Sequence, residues 1–194
     1  METWMFIATG AAVLAGVLLI AGLGIWIEHR RGVGRTTDLK EGFGPEYAKA
    51  VQDQGRSGAE DDLVKRQERA EALQLRPLSE IEVVHYNETW MATQVQFVDE
   101  PGAALTAADH LVTEIIGARG YPVAEFEQGA SALSVDHPGA VQDYRAAHEV
   151  AVRNQGNPVP PVPTDILRAA MKQFRTVFTE LVDGVPSRQP APAG

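Results

Sequence analysis

From Met5 to Ile27 the chain runs MFIATGAAVLAGVLLIAGLGIWI without one charged side chain. A helix rises ~1.5 Å per residue, so a run of this length covers the ~30 Å hydrocarbon core of a bilayer. Trp4 and Trp26 stand near its two ends, where amphipathic rings favour the headgroup region. A cleaved secretory leader fits less well. Glu2 occupies the place of the usual positive charge, the apolar run is long, and Glu28-His29-Arg30-Arg31 follows where small residues would mark a cleavage site. The expectation is a retained signal anchor, one N-terminal transmembrane helix within residues 1–28.

Charge then orients the anchor. Arg30, Arg31, Arg35 and Lys40 follow the apolar run, and nothing basic but the amino terminus precedes it. Basic flanks stay on the cytoplasmic side, which puts the N-terminus outside and the rest of the chain inside. The same arginines attract anionic lipid. Ala8, Ala12 and Gly16 recur every fourth residue and form a small-residue packing face that permits close helix contact in lipid.

Beyond the anchor roughly 165 residues remain, enough for one soluble domain with its own core. The net charge of −9 argues against a nucleic-acid partner, because neutralising phosphates takes clustered Lys and Arg. There are no cysteines, which excludes disulfides, thiolate metal sites and cysteine nucleophiles.

Periodicity makes this domain helical. Residues 29–44 read as a basic juxtamembrane linker. Gly44-Pro45 suits a helix start, with a short helix to about Gly55 and a charged helix from Gly58 to Leu75. In the latter, Asp61–Lys65 and Asp62–Arg66 are i,i+4 pairs, and a narrow stripe of Leu63, Ala70 and Leu73 suits one neighbour or a short coiled coil. Arg76-Pro77 breaks the pattern. Ser79 with Glu82 forms a capping box, opening a core helix of Val83, Tyr86, Trp90 and Phe97 that ends near Asp99. Pro101 starts the next, whose Leu105, Ala108, Leu111, Val112, Ile115 and Ile116 form a wide apolar face up to Gly120.

A short helix follows Pro122. Ser134 to Pro138 reads as a turn and cap, and Val141, Tyr144, Ala147 and Ala151 mark a helix from about Pro138 to Arg153. The prolines between Gly156 and Pro163 exclude helix. Thr164 is expected to cap the last helix, with Leu167, Ala170, Met171, Phe174, Phe178 and Leu181 as its stripe, and the residues after Gly184 read as a disordered tail. The expected architecture is all-α: the transmembrane helix plus a bundle of about five to six helices. The expected divisions are the anchor at 1–28, the linker at 29–44, the charged helical region at 45–76, the bundle at 77–183 and the tail at 184–194.

Several short words carry a resemblance: Arg119-Gly120-Tyr121-Pro122, Phe126-Glu127-Gln128, Ser134-Val135-Asp136-His137-Pro138, and Tyr144-Arg145 with His148. With them, roughly Gly42 to Leu181 resembles an uncharacterised bacterial family of membrane-anchored proteins. The proline-rich connector departs from the family's pattern. The resemblance implies an anchored domain of that extent and no particular reaction.

No catalytic constellation emerges. His137 and His148 are three helical turns apart, ~16 Å along an axis, too far to share an ion. Glu82 and His85 match half of a di-iron element, without the second half, and His110 with Glu114 lacks a third ligand. No cofactor and no metal are expected. What remains is a polar cluster of Arg119, Glu127, Asp136, His137, Tyr144, Arg145 and His148, joined by Asp109. It reads first as a structural network and second as a small-anion site. Two functions follow. One is a non-enzymatic interaction or accessory protein at the cell membrane, binding the bilayer and either a membrane-associated protein or another copy of itself through the charged helix. The other is a small-ligand sensor or enzyme around Arg119, Arg145 and His148, which requires those side chains to converge in one pocket.

Overall fold

The computed structural model describes residues 36–156 and 158–184. The anchor, its small-residue face at Ala8, Ala12 and Gly16, the arginines at 30, 31 and 35, and the C-terminal tail all lie outside the described residues. Among the described residues no helix is long and apolar enough to cross a membrane, and every regular element is helical. The chain divides after Glu41, and the description below concerns the unit that begins at Gly42.

The linker expected at 29–44 is helical at residues 36–43. Only Gly44, with φ 48°, leaves the helix. Helix α1 (Pro45–Glu71) then starts on its proline and is interrupted at Gly55, where φ 73° and ψ 167° are far from helical. The interruption is a reversal. Tyr47 and Glu60 would stand ~20 Å apart in a straight helix, yet the Tyr47 hydroxyl donates to Glu60 Oε1 at 3.0 Å. Arg66 similarly approaches Glu46 to 3.8 Å. The two arms, 45–54 and 56–71, therefore fold against each other, with Tyr47, Ala50, Ala59 and Leu63 buried. Glycine fits this corner because positive φ costs it nothing.

The charged helix expected to reach Leu75 ends at Glu71. Beyond it a turn and a bend lead into residues 74–79, which are in neither helix nor strand, and Leu73 and Leu75 pack onto the core. This segment crosses the end of a later helix so closely that Arg76 N–H donates to Arg119 C=O at 3.0 Å. A Cβ on Gly120, whose φ is 97°, would lie 2.5 Å from the Gln74 carbonyl oxygen.

Helix α2 (Glu80–Asp99) opens on the capping box, with Glu82 N–H donating to Ser79 Oγ and the Glu82 carboxylate accepting from Ser79 N–H. The Arg76 guanidinium, bidentate on that carboxylate, holds it well below the usual carboxylate range, with the Ser79 bonds adding to the effect. Helix α3 (Pro101–Ala118) lies at the centre, packed against α2, α5 and α6. Its whole apolar face, from Leu105 to Ile116, is buried.

Helix α4 (Phe126–Asp136) extends into the expected turn. Ser134 and Asp136 lie in its last turn, so neither caps the next helix, and no side chain caps α5 (Ala140–Gln155). Likewise Thr164 is the first residue of α6 (Thr164–Asp183) and makes no capping bond; Pro163 stands at the cap. Ala140, Ala147 and Ala151 of α5 are fully buried and α5 packs against α6, while Trp90 of α2 stacks on Phe178 of α6 at 4.8 Å and 17°.

The charged region does not stand apart from the bundle. α1 packs on α4, and Glu46 reaches Arg145 of α5 at 2.8 Å. The stripe of Leu63 and Ala70, expected as a contact surface, is buried inside this unit.

Candidate functional site

The polar residues singled out by the sequence fall into two separate groups. The first closes the end of α6. Arg119 follows α3 and is only 2% exposed. Its guanidinium donates to the carbonyls of Leu181 at 2.5 Å and Gly184 at 2.8 Å. Those carbonyls have no helical N–H to meet them, and a cation there also complements the helix dipole. Burial lowers the Arg119 pKa, with the nearby Tyr121 and Asp136 acting in the opposite direction. Beside it the Tyr121 hydroxyl donates to Asp136 Oδ2 at 2.9 Å, and His137 Nδ1 meets Glu180 Oε1 at 2.9 Å.

The second group joins α1, α3, α4 and α5. Arg145 donates to Glu46 at 2.8 Å and, more weakly, to Glu127 at 3.4 Å. His148 Nδ1 lies 2.8 Å from Asp109 Oδ1, and its ring stacks on Phe126 at 3.8 Å and 9°. Tyr144 shares a 3.3 Å hydrogen bond with Thr113, and burial pushes its phenol up to about 12. Above this group lies an open groove of about 780 Å³, lined in part by Lys49, Glu127, Arg145, His148 and Glu149.

Arg119, Asp136 and His137 do not line that groove, so the single convergence required of a sensor or enzyme is absent. The principal side chains already have partners within the fold, Arg145 on Glu46, His148 on Asp109 and Arg119 on the end of α6, while Arg119 Nε and His137 Nε2 are buried without one among the described residues. Among the described residues no group of three potential ligands stands ready for a metal ion. The arrangement holds helices together, as buried polar networks commonly do. Glu46, 3% exposed between two arginines, escaped the sequence reading. Nothing local distinguishes it from an ordinary acid in a helix's first turn.

The feature that packing leaves unused is the outer face of α2. Ile81, Val84, Met91, Val95 and Val98 are 81, 56, 57, 71 and 81% exposed. With Glu88, also exposed, they recur at alternating steps of three and four, the spacing of a heptad seam. Val83, Tyr86, Trp90, Thr93 and Phe97 occupy the opposite face and pack inward. No family model, curated protein or solved structure matches this chain.

The seam was legible before the fold was known. Two interleaved sets of apolar residues share α2, each at helical period, and a helix with a single buried side needs only one. The inward set, rich in aromatics, drew the assignment as a core helix and left the second set unremarked.

Proposed function

We propose that this protein is a single-pass, membrane-anchored interaction protein without catalytic activity, resembling the bacterial family noted above. Its N-terminal helix spans the cell membrane with the amino terminus outside, and its helical domain works on the cytoplasmic side. Docking occurs on the outer face of α2, in place of the charged helix whose stripe is consumed by internal packing.

One observation carries this reading: five large apolar side chains aligned on one face of a helix whose other face is already satisfied. Contiguous apolar surface of this kind is what contact sites expose. Burying these side chains is worth of order 5–10 kcal/mol before association costs are subtracted. The anchor lowers those costs by confining the domain to a thin layer beside the bilayer, where the effective concentration of other membrane proteins is high.

The test replaces Met91 and Val95 with Glu in the full chain, followed by crosslinking and affinity purification from native membranes. Both positions face outward, so the thermal melt stays within a few degrees of the parent. The reading expects crosslinked species to disappear with the melt preserved. Undiminished crosslinking would refute it.

A further inference from the structure

We infer that the cavity between the second arm of α1 and helix α4 binds a small monocarboxylate with a short apolar body, its charge held by Arg69. The site is separate from the outer face of α2 and does not depend on how that face is used. Arg66 and Arg69, three apart, share one side of the arm, and Leu73 follows just past its end. Gln128, Ser131 and Ala132 line the cavity from α4, again at spacings of three and four. The space enclosed is about 210 Å³, with Pro122 at its edge.

The walls are fixed by the fold itself. Leu73 and Ala132 pack against the core. The chain at Pro122 lies so close to α4 that a Cβ on Gly129 would come within 2.6 Å of the Pro122 carbonyl oxygen. Arg66 is held by Asp62, with Nε at 2.7 Å and Nη2 at 2.6 Å from the same carboxylate oxygen. A pocket shaped in advance loses less entropy on being filled.

Its polar groups differ from those of the larger groove, where Arg145 meets Glu46 and His148 meets Asp109. Arg69 donates through Nε to the Lys65 carbonyl at 3.1 Å, and its two terminal nitrogens have no partner among the described residues. Nor do the Gln128 amide and the Ser131 hydroxyl have one there. Two guanidinium nitrogens match the two oxygens of a carboxylate, and the amide and hydroxyl add neutral donors beside them. One unmatched cation suits one negative charge. Asp62 and Glu46, both drawn to Arg66, oppose a second, which disfavours a phosphate dianion. Leu73, Pro122 and Ala132 offer the apolar surface for the rest of the molecule, the usual division of labour in a ligand pocket. At ~30 Å³ for each water of the liquid, the space equals about seven waters, which suits an acid of about eight non-hydrogen atoms.

Hexanoate is the probe. Its binding to the full chain in phosphatidylcholine nanodiscs is followed by saturation-transfer nuclear magnetic resonance, with the signal from empty discs subtracted. Saturable binding is expected, at least tenfold tighter than that of hexanamide, which has the same shape and no charge. Arg69→Gln should raise the Kd tenfold or more, and Ala132→Leu, which fills the cavity, should do the same. Lys65→Gln removes the same charge one turn earlier and outside the cavity, so its Kd should stay within twofold of the parent. Because Arg69 is exposed, its replacement leaves the thermal melt unchanged and the comparison holds even where Ala132→Leu fails to fold. Absence of saturable hexanoate binding would overturn the site. Equal affinity for hexanamide would overturn the recognition of charge, and equal losses in Lys65→Gln and Arg69→Gln would overturn the role of Arg69.

Discussion

Replacing Gly120 with alanine isolates one crossing of the chain. Gly120 has φ 97°, and a Cβ there would lie 2.5 Å from the Gln74 carbonyl oxygen and 3.4 Å from Leu75 Cα. Holding a non-glycine residue in such a conformation costs about 1–3 kcal/mol. The close contact must also be relieved, and what it meets is backbone, which cannot rotate away like a side chain. Displacing residues 74–76 would lengthen the 3.0 Å bond from Arg76 N–H to Arg119 C=O, a loss of roughly 0.5–1.5 kcal/mol. It would also pull Leu73 and Leu75 from their seats against the core.

Gly120→Ala should therefore destabilise the domain by about 2–4 kcal/mol. Gly139→Ala is the control: φ is −71° and ψ −39° there, and nothing lies within 4 Å of the added carbon. That change should be neutral or stabilise by about 0.4–1 kcal/mol, by restricting the unfolded chain. Urea unfolding of both variants, followed by far-ultraviolet circular dichroism in detergent solution, separates the two. A Gly120→Ala protein within about 0.5 kcal/mol of the parent would refute the reasoning.

Two other outcomes follow from the polar groups. Arg119→Met keeps much of the buried volume but leaves the Leu181 and Gly184 carbonyls without their donor. The expected loss is about 1–3 kcal/mol, reduced because a charge no longer has to be buried, with faster amide exchange confined to the last turn of α6; unchanged exchange there would sink the capping role. Tyr144 titrates near 12 in the folded chain because burial disfavours its charged form, against about 10 unfolded. Its contribution to stability is constant below pH ~10 and is lost as pH rises from there towards 12. Tyr144→Phe should flatten that alkaline decline and remove the latest step from the ultraviolet titration of tyrosinate.

The ends of α2 and α3 were readable because they are set by neighbours in the chain. Ser79 and Glu82 cap within one turn, and Pro101 and Gly120 bound the next helix by their own stereochemistry. The buried faces of α3, α5 and α6 were readable for the same reason, since apolar residues at helical period can bury themselves in only one direction. The linker expected at 29–44 is instead helical at residues 36–43, and Gly44 is where the chain leaves helical geometry.

Sequence alone thus determined which segments coil and which side of each turns inward, because both follow from interactions a few residues long. Tertiary structure decided which charges meet. Glu46 finds Arg145 and Arg119 finds the end of α6 only after the chain returns through space. It also decided which of the two apolar faces of α2 would be spent on the core: the aromatic one found neighbours in α3 and α6, and the aliphatic one did not.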